Sequence, residues 1–164
     1  MIAVATVAIL AVLIVGAVGR LRSRAQRLQC IANLKSLYAA SELYRQQKGN
    51  WPQVVVDRSS DDSAQQYAQQ WIAALEPFGA SRKTWICPAI QQLIGNPDYN
   101  DPDLIRVDYF AMPFDDKPMT PHEWARQPWF IERANAHGDG ILIIFTDGSI
   151  SDSTALIREA KGEK

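Results

Sequence analysis

Charge is missing from the first 19 residues of this chain, MIAVATVAILAVLIVGAVG, and proline is missing before Pro52. The first absence excludes a solvated start. The second removes the commonest reason for a helix to break. Cysteine is scarce, with only Cys30 and Cys87 among 164 residues, which is too few for a scaffold built from disulfides. A surplus of one charge is also lacking. The formal net charge is −1, so no global field draws in nucleic acid, and Arg20, Arg22, Arg24 and Arg27 form only a local basic patch. No Gly-x-Ser-x-Gly elbow is present, nor a calcium loop with its central glycine and distal glutamate.

What the opening does contain is one continuous helical pattern from Met1 to about Gly49, roughly 70 Å long at about 1.5 Å per residue. The uncharged residues 1–19 cover about 28 Å of it, close to the hydrocarbon thickness of a bilayer, and are read as a transmembrane helix. No basic residue precedes the apolar run, which argues against a cleaved secretory signal. Residues 20–49 continue as an amphipathic stalk. Cys30, Ile31, Leu34, Leu37, Tyr38, Ser41 and Tyr44 make one stripe, and Gln29, Asn33, Ser36 and Gln47 are assigned to the opposite, solvated face. Lys48 and Gly49 provide the stop.

Residues 50–164 are read as one modest head domain, since the mean hydropathy of the whole chain is −0.18 despite its apolar start. A second helix is expected after a cap at Ser60 or Asp61. Its stripe is Ala64, Tyr67, Ala68, Trp71, Ile72 and Leu75, and it ends at Pro77 and Gly79. Ser81 to Pro88 reads as an extended approach to Cys87, and residues 95–103 as a polar loop. Within that loop Asp98, Asp101 and Asp103 do not close a calcium site. A strand is expected over 105–112 and a short helix over 121–126 behind Thr120-Pro121. Residues 140–146 read as a strand covered on both faces. Asp147-Gly148 reads as a type I′ hairpin turn, 149–152 as the return strand, and Ser153 as the cap of a terminal helix through Ala160.

Chemistry-bearing residues are few. Cys30 and Cys87 both sit in apolar contexts. In an oxidising compartment they would form a bridge worth roughly 3–4 kcal/mol, and otherwise they are two separate buried thiols. His137, Asp139 and Asp147 do not complete a metal or catalytic set, and His137 is read as a structural hydrogen-bonding residue near the hairpin turn. No catalytic, cofactor or metal set is assigned.

Four elements in series nevertheless resemble one family. His137, nine residues, then Asp147-Gly148 resembles the H-x9-DG signature of bacterial type IV pilin-like proteins related to type II secretion pseudopilins. Cys30-Ile31-Ala32-Asn33-Leu34-Lys35 resembles the Cys-x-x-Asn-Leu-Lys that follows the membrane helix there. Tyr44, Gly49 and Pro52 fit the usual continuation, as does the aromatic-x-Cys-Pro of Trp85 to Pro88. The resemblance implies an α+β fold in which a long N-terminal helix packs on a small antiparallel sheet. It also implies a single-pass anchor in the bacterial inner membrane with the head outside, and partnership with lipid and with the first helices of other pilin-like subunits. By charge alone the arginines after the span would place the head in the cytoplasm, and here the resemblance decides otherwise. The family's basic leader, its cleavage site and the glutamate early in its mature helix are not in this sequence. The expectation is therefore an in-frame leader upstream of Met1. The function implied is structural, a subunit without chemistry of its own. A tethered ligand-binding module and an anchored metal enzyme using His137 and the aspartates are the competing classes.

Overall fold

The computed structural model describes the backbone of residues 2–54, 63–95, 105–114 and 120–162, with side chains from residue 18 onward except 63, 120 and 121. The fold is α+β. Helix α1 (Ile2–Lys48) is followed by α2 (Ser63–Leu75), α3 (Pro88–Ile94), strand β1 (Tyr109–Ala111), α4 (Thr120–Glu123), β2 (Pro128–Glu132), β3 (Leu142–Phe145), β4 (Ile150–Asp152) and α5 (Ser153–Ala160). The four strands form one antiparallel sheet in the order β1-β2-β3-β4.

Helix α1 holds no proline to break it, and it stops at Gly49. There φ is +76°, a value glycine adopts without strain, and Gly49 N donates to Arg45 O at 2.9 Å. The expected inward stripe is largely present. Cys30, Leu34, Leu37 and Ser41 are fully buried, Ala40 joins them, and Ile31, Tyr38 and Tyr44 pack at the margin. Asn33 corrects the sequence reading. It is buried, and its amide donates to Ile86 O at 2.9 Å and to Tyr109 Oη at 3.4 Å. A polar side chain on a helix can face the core when its hydrogen bonds are met there. Among the described residues no helix is long and apolar enough to cross a membrane. The span expected over 1–19 falls mostly on side chains outside those described.

Strand β2, which periodicity did not single out, is the middle of the core. Trp129 and Phe130 are neighbours in sequence and both are buried, which a regular strand forbids because successive side chains alternate. A register shift between Pro128 and Phe130 resolves the conflict. Pro128 pairs with Phe145 and Phe130 with Ile144, so Trp129 is the extra residue of a bulge. The two rings then join an aromatic cluster. Trp51 meets Trp129 edge-on at 4.2 Å, Tyr38 meets it at 5.2 Å, and Trp71 and Trp85 each stand 6.0 Å from Phe130. On the open edge, Tyr67 of α2 donates to Ala111 O at 3.1 Å and accepts from Ala111 N at 2.9 Å, which occupies part of the unpaired side of β1.

Several local expectations change. Residues Arg82–Trp85 form a 3-10 turn and only Ile86–Cys87 is extended. The strand expected over 105–112 contracts to β1, and the helix expected over 121–126 to α4. Ala64 is exposed, outside the buried part of its stripe. Residues 60–61 and 96–104, with the expected cap and the aspartates 98, 101 and 103, lie outside the described residues.

The hairpin at Asp147-Gly148 exists, but its turn is not type I′. Asp147 is not at positive φ, whereas Gly148 is, at +77°. Gly148 N donates to Phe145 O and Phe145 N to Ser149 O, both at 2.9 Å, which makes a three-residue loop closed by a left-handed glycine. A Cβ on Gly148 would meet Tyr38 Cζ at 3.3 Å, so the hairpin tip rests on α1. The cap of α5 is Asp152, not Ser153. Its Oδ1 accepts from Ala155 N at 2.7 Å while its Oδ2 holds Arg27 Nη2 of α1 at 2.8 Å. Ser153 Oγ instead accepts from Ile141 N at 3.0 Å.

Because Leu34 fills the helix–sheet contact and Leu28 is 66% exposed, the two positions separate packing from helix formation. Leu34→Ala should cost about 2–5 kcal/mol, and Leu28→Ala should stay within about 0.5 kcal/mol. Urea unfolding followed by tryptophan fluorescence measures both.

Candidate functional site

Four elements converge under α1. Cys30 comes from the inner stripe of α1. Cys87 comes from the residue before α3. Glu132 ends β2, and His137 lies in the β2–β3 connection. All four are buried, and the side chains of Glu132 and His137 have no solvent exposure. Cys30 Sγ and Cys87 Sγ stand 2.7 Å apart. Cys87 Sγ stands 3.8 Å from His137 Nε2, which in turn is 2.8 Å from Glu132 Oε1. Glu132 Oε2 accepts from Leu142 N at 3.3 Å.

The frame around the cluster is hydrogen-bonded from several sides. Asp108, fully buried just before β1, accepts from Cys87 N at 3.0 Å and from Arg106 Nη2 at 3.2 Å, which fixes the cysteine's backbone. Burial raises the Asp108 carboxyl above its usual range against the opposing pull of these donors. Asn33 anchors α1 to Ile86 O beside Cys87. Ser23 Oγ donates to His137 O at 3.3 Å, so α1 also holds the histidine's own backbone. His137 Nδ1 is buried with no hydrogen-bond partner among the described residues.

The electrostatics follow from this enclosure. The hydrogen bond with Cys30, then burial, pushes the Cys87 thiol far up. Burial, then the neighbouring Cys30, does the same to the Tyr109 phenol. For His137, burial disfavours the charged ring. Hydrogen bonds to Cys87 and Glu132 and the Glu132 charge outweigh it, and the imidazole is raised to about 9. Below about pH 9, then, a charged His137 ring stands 2.8 Å from Glu132 Oε1 and 3.8 Å from Cys87 Sγ.

The residues singled out from the sequence are only partly brought together. Cys30, Asn33, Cys87 and His137 meet here, with Leu34 and Pro88 on the same elements. Lys35 is exposed on α1. Asp147 and Asp139 stand apart from the cluster. Asp147 accepts from Ser149 N at 2.8 Å and Ser149 Oγ at 2.6 Å, and those bonds lower its pKa. Asp139 is exposed and faces Arg27 Nε at 3.9 Å. His137 is therefore a partner of Glu132 and not a residue of the hairpin turn. Sequence reasoning missed Glu132. Its only signal is an acid that closes the apolar run Pro128–Ile131 at a strand position in register with Tyr109. One ligand atom from each of Cys30, Cys87, Glu132 and His137 lies within 4.8 Å of the other three. Chemically this is a donor set of two sulfurs, an imidazole nitrogen and a carboxylate oxygen.

Comparison with protein-family models, with curated proteins and with solved structures returns no match.

A raised histidine pKa stabilises the fold while the ring is charged in the folded state. In reduced, chelator-treated protein this contribution should be complete below the unfolded-chain value of 6.5 and be lost as pH rises through about 9. Denaturant unfolding across that range measures it, and Glu132→Gln should flatten the dependence.

Proposed function

We propose that this chain is a membrane-anchored, pilin-like structural subunit of a bacterial secretion or pilus-type assembly, with the residues before about 20 in the inner membrane and the head outside it. The observation that carries the reading is the division of labour along α1. This helix continues for 47 residues, yet among its described side chains, from Val18 onward, burial in the head begins only near Cys30. Val18, Leu21 and Leu28 are 55%, 63% and 66% exposed. A helix that leaves apolar side chains uncovered ahead of its packed half needs another apolar surface, from lipid or from sister helices. Ala3, Ala5, Ala8, Ala11, Gly16 and Gly19 are small enough for close helix approach within a bilayer. The H-x9-DG and Cys-x-x-Asn-Leu-Lys resemblances support the same reading. In this role the head acts by packing and carries out no reaction.

One feature favours a tethered ligand-binding module instead. A cleft of about 240 Å³ lies between α2 and β1, lined by Tyr67, Ala68, Val107, Phe110, Arg106 and Arg133 among others. It is smaller than the roughly 300–1,000 Å³ of most small-molecule sites, so the subunit reading stands first.

Photo-crosslinking from Leu21 and Leu28 in intact cells tests the choice. A subunit should be recovered in the membrane fraction and give a ladder of crosslinked species. Membrane-bound protein that stays monomeric favours the tether. Recovery in the aqueous fraction rejects both.

A further inference from the structure

We propose that Cys30, Cys87, Glu132 and His137 form a structural site for a thiophilic divalent transition-metal ion such as Zn²⁺, which fastens α1 to the sheet. The inference is independent of whether the chain assembles into a filament. It rests on how the four groups are arranged. They come from four separate elements, they are buried together, and one ligand atom of each falls within 4.8 Å of all the others. Two sulfurs, one imidazole nitrogen and one carboxylate oxygen make a complete tetrahedral donor set for zinc. A site without an open position is structural rather than catalytic. Soft sulfur donors favour such an ion over calcium or magnesium, which take oxygen ligands.

The Sγ atoms stand 2.7 Å apart. Two Zn–S bonds of about 2.3 Å at the tetrahedral angle place sulfurs about 3.8 Å apart. Binding therefore asks the two thiols to part by roughly 1 Å, and asks His137 to exchange its contact with Glu132 for the metal. The balance of the step is simple. Each thiol loses a proton to solvent, the His137 ring loses its proton as well because only the neutral imidazole can ligate, the carboxylate adds no further proton change, and nothing is oxidised or reduced.

A Cys30–Cys87 disulfide is the competing fate of the same sulfurs. It would use two of the four groups and leave Glu132 and His137 paired with each other, 2.8 Å apart, in a buried surround. Such a pair is costly to bury relative to apolar side chains of similar size. A cation bound by all four accounts for the acid and the imidazole as well as the sulfurs. The surrounding bonds suit a fixed site, since Asp108 holds Cys87 N at 3.0 Å, Leu142 N holds Glu132 Oε2 at 3.3 Å and Ser23 holds the His137 carbonyl at 3.3 Å.

The test uses the full chain in detergent, with thiols alkylated at lysis in one sample and metal content measured in another. One zinc per chain is expected, with both cysteines unoxidised and protected from alkylation until a chelator is added. Replacement by Co²⁺ should give the visible absorption of a tetrahedral site and a thiolate-to-cobalt charge-transfer band. Both signals should vanish in Cys30→Ser/Cys87→Ser, and Glu132→Gln should weaken the metal at least tenfold. Circular dichroism separates loss of metal from loss of fold. The cobalt spectrum of the unaltered chain decides the matter even where the variants do not fold. A Cys30–Cys87 disulfide in most of the molecules at lysis overturns the proposal. So does a folded, reduced protein that binds neither ion, or zinc retained at full stoichiometry by the double serine variant.

Discussion

The structure depends on one wedge, the inner face of α1 from Cys30 to Ser41 set against the sheet and α3. Every other element is placed with respect to it. The tip of the β3–β4 hairpin rests on Tyr38 through Gly148. Tyr38 Oη also donates to Thr146 O at 3.3 Å and its ring stands edge-on to Trp129. Asn33 reaches the loop before α3, and Arg27 reaches the end of β4. The helix supplies the greater part of one wall of the core, so the four short strands do not have to bury their inner face against each other alone.

The same wedge explains why polar groups collect where they do. A helix face that carries Cys30 and Asn33 alongside Leu34 and Leu37, with the half-buried Ser23 at its margin, brings hydrogen-bonding groups into the interior with it. Each requires a partner away from water. Tyr109, Ile86 O, the His137 carbonyl and Cys87 provide them, and Glu132 with His137 completes the buried set. The cluster is thus a property of the seam between rod and head and not of either part alone.

How much of this was legible in the sequence varies with the kind of signal. The long helix was, because its apolar stripe repeats over many turns and Gly49 ends it. Asn33 was placed on the wrong face because periodicity sorts residues by polarity, and a hydrogen-bonded amide in a core defeats that sorting. Strand β2 escaped notice because the run from Pro128 to Ile131 neither alternates nor exceeds a few residues, and its bulge buries both Trp129 and Phe130. The hairpin was read correctly and its turn incorrectly. The loop takes in Thr146 as well, and a three-residue loop needs the left-handed conformation only at Gly148. Cys30, Cys87 and His137 could be noticed one by one, whereas their meeting with Glu132 depends on separations of 57 and 50 residues along the chain and on where β2 ends. Local pattern does not carry such distances.

Asp152 divides one carboxylate between two helices, closing the start of α5 with one oxygen and clasping Arg27 with the other. Any tilt of the rod that drags Arg27 away withdraws support from the terminal helix, and fraying of that helix slackens the clasp in return. The first and last elements of the chain are thereby joined mechanically through a single side chain, and a load borne by one end registers at the other.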